Sequence, residues 1–120
     1  MNKKQYSIND WCKNIVQWRK SKCFETNWMN TMEKLMLIVT EVSEAAEAYR
    51  HLDLECDTAF YTINKIPNES PALENFKEEL ADTFIRLADL AGSLNIDLQQ
   101  AVIDKMIINK KRPYKHGKKC

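Results

Sequence analysis

The sequence predicts a single all-α domain built as a four-helix bundle. Its 120 residues match the usual size of one domain. With only two Gly and three Pro, 44% hydrophobic and 29% charged residues, the composition argues against disorder, collagen-like repeats and Gly-rich barrels. Apolar residues recur three and four apart in four segments, which is typical of amphipathic helices. We therefore expect one helical domain over residues 1–120.

The first two helices are predicted from capping residues and apolar spacing. Ser7, with Asp10 three residues further on, can cap a first helix over 8–23. A longer second helix is predicted over 28–52. The expected apolar faces of these two helices consist of Trp11, Ile15 and Trp18, and of Met32, Leu35, Met36, Val39, Val42, Ala46 and Tyr49.

Residues 53–70 interrupt this periodicity with acids, β-branched residues and turn formers, so they are predicted to be an inserted loop, with a short helix near 58–65 as the alternative. Pro71 suits the first position of a third helix, with Ser70 as its cap and Asn95 as a left-handed C-cap. The expected apolar face of this helix consists of Phe76, Leu80, Phe84, Leu87, Leu90 or Ala91, and Leu94.

A fourth helix is predicted to begin after Asp97, which with Gln100 forms another capping pattern, and to end before Pro113. The formal net charge of +1 by itself implies no nucleic-acid or membrane partner. The charge is unevenly distributed, however, because seven basic residues and no acid follow Asp104. We expect an acidic body that ends in a basic tail over 113–120.

The location of the protein is predicted from its cysteines and its first residues. The four Cys form no CxxC pair and have no His at zinc-ligand spacing, so we expect reduced thiols. The first residues contain no apolar run of a signal peptide, and no run reaches the roughly 18–20 residues that a membrane span needs. A cytoplasmic protein without a membrane partner is therefore expected.

Two acidic pairs carry the candidate chemistry. Glu41 and Glu44 lie three residues apart on the second helix, and Glu79 and Asp82 lie three apart on the third, so each pair shares a helix face. Packing the two faces together would repel, since two like charges at 4 Å cost about 1 kcal/mol in water and about 4 kcal/mol at a dielectric constant near 20. Carboxylates without His or Cys suit Mg²⁺, or alternatively Mn²⁺. Such spacing is also common on solvated helix faces.

The two motifs together resemble those of the MazG-like nucleoside triphosphate pyrophosphohydrolases, an all-α superfamily. The surrounding runs TEVSEA, ELADTFIRLADLAG, NIDL and KMIINKKRPYKHGKK are similar to that family too, so the resemblance covers about residues 34–119. One departure is the distance between Glu44 and Glu79, which exceeds the usual family spacing because of the segment 53–70.

The resemblance implies a MazG-type fold and cleavage of nucleoside triphosphates between the α- and β-phosphates, giving a monophosphate and pyrophosphate. Nucleotide-pool housecleaning is the expected role, and adjusting the deoxynucleotide pool or lowering an alarmone is equally compatible with this chemistry. The resemblance also implies that Mg²⁺ is held by Glu41, Glu44, Glu79 and Asp82. The carboxylate that accepts the proton of the attacking water stays open among Glu41, Glu44 and Glu78, with Glu47 as a more remote candidate.

Substrate contacts are predicted on the fourth helix and near the start of the second. Lys105, Asn109 and Arg112 follow one another at i, i+4 and i+7, so they can bind phosphates from one helix face, and family members have a similar stretch. The helix dipole alone also favours basic residues at that helix end. Trp28 can stack on a nucleobase and Asn27 can hydrogen-bond its edge, or cap the helix.

The breadth of the apolar faces predicts a homo-oligomer, either a dimer or a tetramer, and the family resemblance points the same way.

Two other functions stay open. The chain can be a non-catalytic helical interaction module, or a nucleic-acid-binding module that uses its basic C-terminal run. Nucleic acid is the less favoured partner, because the basic run is short and the remainder of the chain is acidic.

Overall fold

The computed structural model describes residues 5–52, 56–57, 62–63 and 71–113. These residues form four α-helices: α1 (Ile8–Ser21), α2 (Thr31–Arg50), α3 (Pro71–Ser93) and α4 (Leu98–Lys111). A 3-10 turn over Trp28–Asn30 precedes α2. Apart from one pair of two-residue strands described below, all regular secondary structure of the described residues is helical, which confirms the all-α fold class. Among the described residues, no helix is both long and apolar enough to cross a membrane.

The predicted caps of α1, of α4 and of the end of α3 are present, whereas the N-cap position of α2 is Asn30, without a side-chain cap, rather than Asn27. The Ser7 hydroxyl accepts the Asp10 N–H at 3.1 Å and the Asp10 carboxylate accepts the Ser7 N–H at 3.0 Å, a complete capping box. The Asp97 carboxylate accepts the Gln100 N–H at 2.9 Å at the start of α4. Asn95 has a left-handed backbone with φ 58°, as predicted for the end of α3. Ser70, the predicted cap of α3, lies outside the described residues.

Two helix boundaries differ from the prediction. Helix α1 ends at Ser21 rather than at Cys23, and Cys23 has φ 61°, a backbone conformation that cannot continue a right-handed helix. The second predicted helix starts as the 3-10 turn and is α-helical only over Thr31–Arg50. Both differences involve terminal turns, where hydrogen bonding to the preceding turn is weakest.

The segment 53–70 contains a short strand pair. Cys56 pairs with Ile63 and Asp57 with Thr62 in an antiparallel ladder of strands β1 (Cys56–Asp57) and β2 (Thr62–Ile63). The alternative of a short helix near 58–65 is therefore wrong at residues 62–63, where β-branched Thr and Ile favour extended backbone. The remainder of 53–70 lies outside the described residues, as do residues 114–120 of the basic tail.

The chain divides into two compact units. The first consists of the described residues up to Asn27 and from Ala88 onward, and it holds α1, the last residues of α3, and α4. The second is Trp28–Leu87, which holds α2, the strand pair and the longer part of α3. That both units belong to one domain stays a prediction from chain length.

In the first unit, α3 packs closely against α1. A Cβ on Gly92 would lie 2.7 Å from Cγ2 of Val16 and 3.1 Å from the Cys12 carbonyl oxygen, so only glycine fits. Buried apolar side chains surround this approach, namely Cys12, Ile15, Ala88, Leu90, Ala91 and Leu94. Helices α1 and α4 are joined by a hydrogen bond of 2.8 Å from the Asn9 amide to the Asp97 carboxylate.

In the second unit, the apolar face predicted for α2 is largely exposed. Its buried residues are Glu41, Ala45 and Ala48. By contrast, Met32 is 68% exposed and Val39 56% exposed. The expectation that this stripe forms the core is therefore wrong for the single chain. The same holds for part of the α3 face, since Leu80, Phe84 and Leu87 are exposed, and for Trp18 on α1 in the first unit.

Candidate metal centre

Three of the four predicted metal ligands lie together in the second unit. Glu41 on α2 and Glu79 and Asp82 on α3 each offer a carboxylate oxygen, and these oxygens lie within 4.8 Å of one another. Glu41 is buried, Glu79 is half-buried and Asp82 is exposed. Because Glu79 and Asp82 are three apart on one helix, their side chains share the face that meets Glu41. The cluster is thus closed on one side and open to solvent on the other.

The surroundings of Glu79 indicate that the described residues near this cluster do not fully neutralise its negative charge. Its Oε2 is buried, and among the described residues it has no hydrogen-bond partner. Burial together with neighbouring carboxylates, those of Glu44, Glu41 and Asp82, raises the pKa of Glu79 to about 7. A buried acceptor without a donor is costly, typically about 1–3 kcal/mol.

Glu44, the fourth predicted ligand, lies at the edge of this cluster. It is exposed and is not one of the three residues whose oxygens converge. Its carboxylate is nevertheless one of the neighbouring groups that raise the pKa of Glu79. The structure therefore places all four predicted acids in one neighbourhood, with Glu44 as the outermost.

An arginine that sequence reasoning missed is paired with the cluster. Nε of Arg86 donates to Oε1 of Glu41 at 2.5 Å. The Glu41 side chain is 10% exposed and that of Arg86 41%. The signal was available in the sequence, because Arg86 follows Asp82 by four residues and Glu79 by seven and so falls on the same face of α3.

The donor set fits a hard divalent cation. Carboxylate oxygens alone, without His or Cys, are the ligands that Mg²⁺ and Mn²⁺ prefer. Arg86 supplies one positive charge to four acids, and Oε2 of Glu79 still has no donor among the described residues. Glu41, Glu79 and Asp82 are the residues that would hold the ion, since their oxygens already converge.

The candidate proton acceptors occupy different surroundings. Glu78 is exposed on α3 and is not part of the converging group. Glu47 forms an ion pair with Arg50 at 2.8 Å and contacts His51 Nε2 at 3.2 Å, and hydrogen bonding to these two residues holds the pKa of Glu47 below its ordinary value. Glu47 is therefore already committed to other partners on α2.

The predicted phosphate-binding residues belong to the first unit. Lys105 and Asn109 are exposed on α4. Arg112 is exposed too, but it follows the end of the helix and has extended backbone with φ −71° and ψ 142°. The expectation that all three continue one helical face is wrong at Arg112, because the next residue is Pro113 and a residue before proline avoids helical backbone.

The predicted base-binding residues fall on either side of the boundary between the units. Trp28 is 69% exposed at the start of the 3-10 turn. Asn27 lines a cavity of about 730 Å³ in the first unit, whose lining also includes Lys20, Phe24 and Asn95. A role of either residue in base recognition stays a prediction.

The described helices and the converging carboxylates agree with the sequence-based expectation of an all-α fold that carries an acidic cluster. The chain is similar to dCTP pyrophosphatase 1 of Mus musculus, with 40% identity over 78 residues. The match covers 65% of this chain and 42% of the mouse protein, so this chain spans less than half of its relative's length. No model of a known protein family matches the chain. The similarity supports a protein of the nucleoside triphosphate pyrophosphatase kind, and membership of the MazG-like branch stays a prediction.

Proposed function

We propose that this protein hydrolyses nucleoside triphosphates between the α- and β-phosphates, releasing a nucleoside monophosphate and pyrophosphate in the presence of Mg²⁺. The observation that carries the proposal is the convergence of three carboxylates, one of which, Glu79, has a buried oxygen without a hydrogen-bond donor among the described residues. The similarity to a pyrophosphatase named for dCTP supports the substrate class. Such a reaction would remove nucleotides from the cellular pool.

The chain's acids divide the work between binding the cation and moving a proton. Glu41, Glu79 and Asp82 bind the ion, which when bound neutralises phosphate charge and lowers the pKa of water. Glu44 is the best placed of the three proton acceptors. It lies outside the converging group, it is exposed, and it is one of the neighbouring carboxylates that raise the pKa of Glu79. Glu41 is less suitable because it is paired with Arg86.

Glu78 is the weakest of the proposed proton acceptors. It precedes Glu79 by one residue, and adjacent helical residues point about 100° apart, so it lies off the face that carries the cluster.

Lys105, Asn109 and Arg112 are proposed to bind the phosphates, and Trp28 and Asn27 the base. All of these residues except Asn27 and Asn109 carry a charge or an aromatic ring, and all five are exposed and accessible to a ligand.

We also propose that the protein works as a homo-oligomer. The apolar stripe of α2 includes Met32, Met36 and Val39, all more than half exposed, on the helix that also carries Glu41. A second copy of the chain is the proposed occupant, because a two-fold pairing presents the same uncharged stripe from both sides. Val39→Glu should shift the mass measured by light scattering to that of a monomer, whereas an unchanged mass would refute pairing through this stripe.

The activity is tested by a panel of ribo- and deoxynucleoside triphosphates that begins with dCTP, assayed for monophosphate and pyrophosphate with and without Mg²⁺. We expect pyrophosphate release only with the cation, and a loss of roughly 100-fold or more in kcat/KM in Glu41→Gln and Asp82→Asn, which is about 2.7 kcal/mol. Glu33→Gln, which removes an exposed acid of α2, is the matched control and should keep full activity.

Three results would contradict this function. Release of a nucleoside diphosphate and inorganic phosphate would show that the cleaved bond lies between the β- and γ-phosphates. Full activity in Glu41→Gln would assign the acidic cluster to an interaction surface instead. Binding of nucleic acid with a steep salt dependence, abolished by deletion of residues 110–120, would favour the nucleic-acid-binding module.

A further inference from the structure

Arg86 stands at the open edge of the acidic cluster. It lies one helical turn beyond Asp82 and about two turns beyond Glu79, on the same face of α3. Its Nε is fixed by Glu41, whose side chain is 10% exposed, while its own side chain is 41% exposed. The arginine is therefore held at its inner end by a buried carboxylate while much of its side chain remains open to solvent.

The guanidinium group keeps most of its hydrogen-bonding capacity. An arginine offers five N–H donors in a planar fork, and among the described residues only the Nε–H of Arg86 is bonded. Arg19 in the first unit shows the opposite pattern. Its Nε, NH1 and NH2 groups donate to Asp89, to the Phe24 carbonyl and to Ser93, and its side chain is 11% exposed.

Neutralising the acids does not account for Arg86 on its own. If that were its whole task, the cluster would be satisfied without a ligand, yet the buried Oε2 of Glu79 is unbonded among the described residues. A fork with accessible donors beside a cation-binding cluster is suited to an anion, and phosphate oxygens match its spacing in a bidentate manner.

We propose that Arg86 binds an oxygen of the substrate's phosphate chain through its terminal amino groups while Glu41 orients the guanidinium through Nε. This inference rests on the proposed function and adds a phosphate-binding residue in the second unit, independent of Lys105, Asn109 and Arg112 on α4. Any phosphate that binds at the acidic cluster comes within the reach of this side chain, because Nε already touches one of the cluster's carboxylates.

The test separates phosphate binding from the support that Arg86 gives to Glu41. Binding of α,β-methylene-dCTP is measured by calorimetry at saturating Mn²⁺ for wild type, Arg86→Gln and Arg86→Lys, and binding of Mn²⁺ alone is measured by electron paramagnetic resonance. We expect Arg86→Gln to weaken analogue binding by about 10- to 100-fold, as loss of hydrogen bonds to a charged group does. Arg86→Lys, which keeps the charge but loses the fork, should be intermediate.

Arg50→Gln is the matched control, because Arg50 also pairs with a glutamate but lies nine residues beyond Glu41 on α2, about 13 Å along the helix. It should bind the analogue as wild type does. If circular dichroism shows that Arg86→Gln does not fold, the affinity of Arg86→Lys for the analogue, compared with that of wild type, tests the inference instead.

Analogue binding by the Arg86 variants that equals wild type at saturating Mn²⁺ would overturn the inference, even if their affinity for Mn²⁺ alone has fallen, because Arg86 would then only position Glu41. A wild-type protein that binds the analogue but cleaves no triphosphate would refute the proposed function instead. The two failures are therefore distinguishable.

Discussion

The two units each contain a cluster of charged side chains, and the clusters are built in opposite ways. In the first unit, Asp89 accepts from Nε of Arg19 at 2.9 Å and from the Thr26 hydroxyl at 2.6 Å, so both of its oxygens are bonded. In the second unit, Glu41, Glu79 and Asp82 face one another, with one arginine among them and one buried oxygen left over.

This difference indicates that the first cluster stabilises the fold, whereas the second has the charge and the open side that cation binding requires. A buried ion pair whose donors and acceptors are all matched has nothing left to offer a substrate, and its role is structural. A cluster with surplus charge and an unmatched acceptor is destabilising by itself, and in the proposed function a cation supplies the missing positive charge. The contrast predicts opposite responses to mutation.

The largest effect on stability is expected from removing the matched carboxylate. Asp89→Ala leaves the guanidinium of Arg19 buried without its partner and should reduce the free energy of unfolding by about 3–5 kcal/mol, as measured by urea denaturation. The matched control is Glu74→Ala, which removes an acid paired with Lys77 in an exposed ion pair, where about 0–1 kcal/mol is expected. A loss of less than 1 kcal/mol in Asp89→Ala would show that the first cluster is not structural.

A smaller effect is expected where α3 approaches α1, close to the matched cluster. Gly92→Ala places a Cβ 2.7 Å from Cγ2 of Val16, and we expect the free energy of unfolding to fall by about 1–3 kcal/mol through overpacking. The double variant Val16→Ala/Gly92→Ala removes the opposing methyl groups. It should be less destabilised than the sum of the two single variants, whereas strict additivity in this double-mutant cycle would show that the two residues do not touch.

The parts of the fold that depend on residues close together in the sequence were predictable. The Ser7–Asp10 capping box, the cap by Asp97 and the left-handed Asn95 are determined within a few residues of sequence, and the structure confirms all three. The pairing of Cys56 with Ile63 was not predictable in the same way. It depends on contacts between strands, for which a two-residue run gives almost no periodic signal.

The burial of each helix face was harder to predict, because periodicity shows that a face is apolar but not what covers it. The α2 stripe is regular in sequence, yet Met32 is 68% exposed in the single chain. The acidic site was predictable for the complementary reason. Two acids three apart on α3 share one helix face, and on that face they lie close to Glu41 of α2. The spacing of Arg86 from Asp82 and Glu79 placed it on the same face of α3, but its pairing with Glu41 depends on how α2 packs against α3, which the sequence does not show.

The smallest of the expected stability effects tests the unmatched cluster through pH. The pKa of Glu79 is raised from 4.5 to about 7 in the folded, metal-free protein, so between these values the folded state binds more protons than the unfolded state. The contribution of Glu79 to the free energy of unfolding should therefore fall as pH rises through this window. Water reaches the half-buried side chain and screens the repulsion, which keeps the effect modest.

Urea denaturation of the metal-free protein at several pH values measures this contribution as the difference between wild type and Glu79→Gln. We expect Glu79→Gln to be the more stable protein above pH 7, with the difference shrinking towards pH 4.5. Mg²⁺ should reverse the order by stabilising wild type, because only wild type retains all three converging carboxylates. If both proteins show the same pH dependence, and Mg²⁺ stabilises them equally, then the second cluster is as well matched as the first and the contrast between the two units fails.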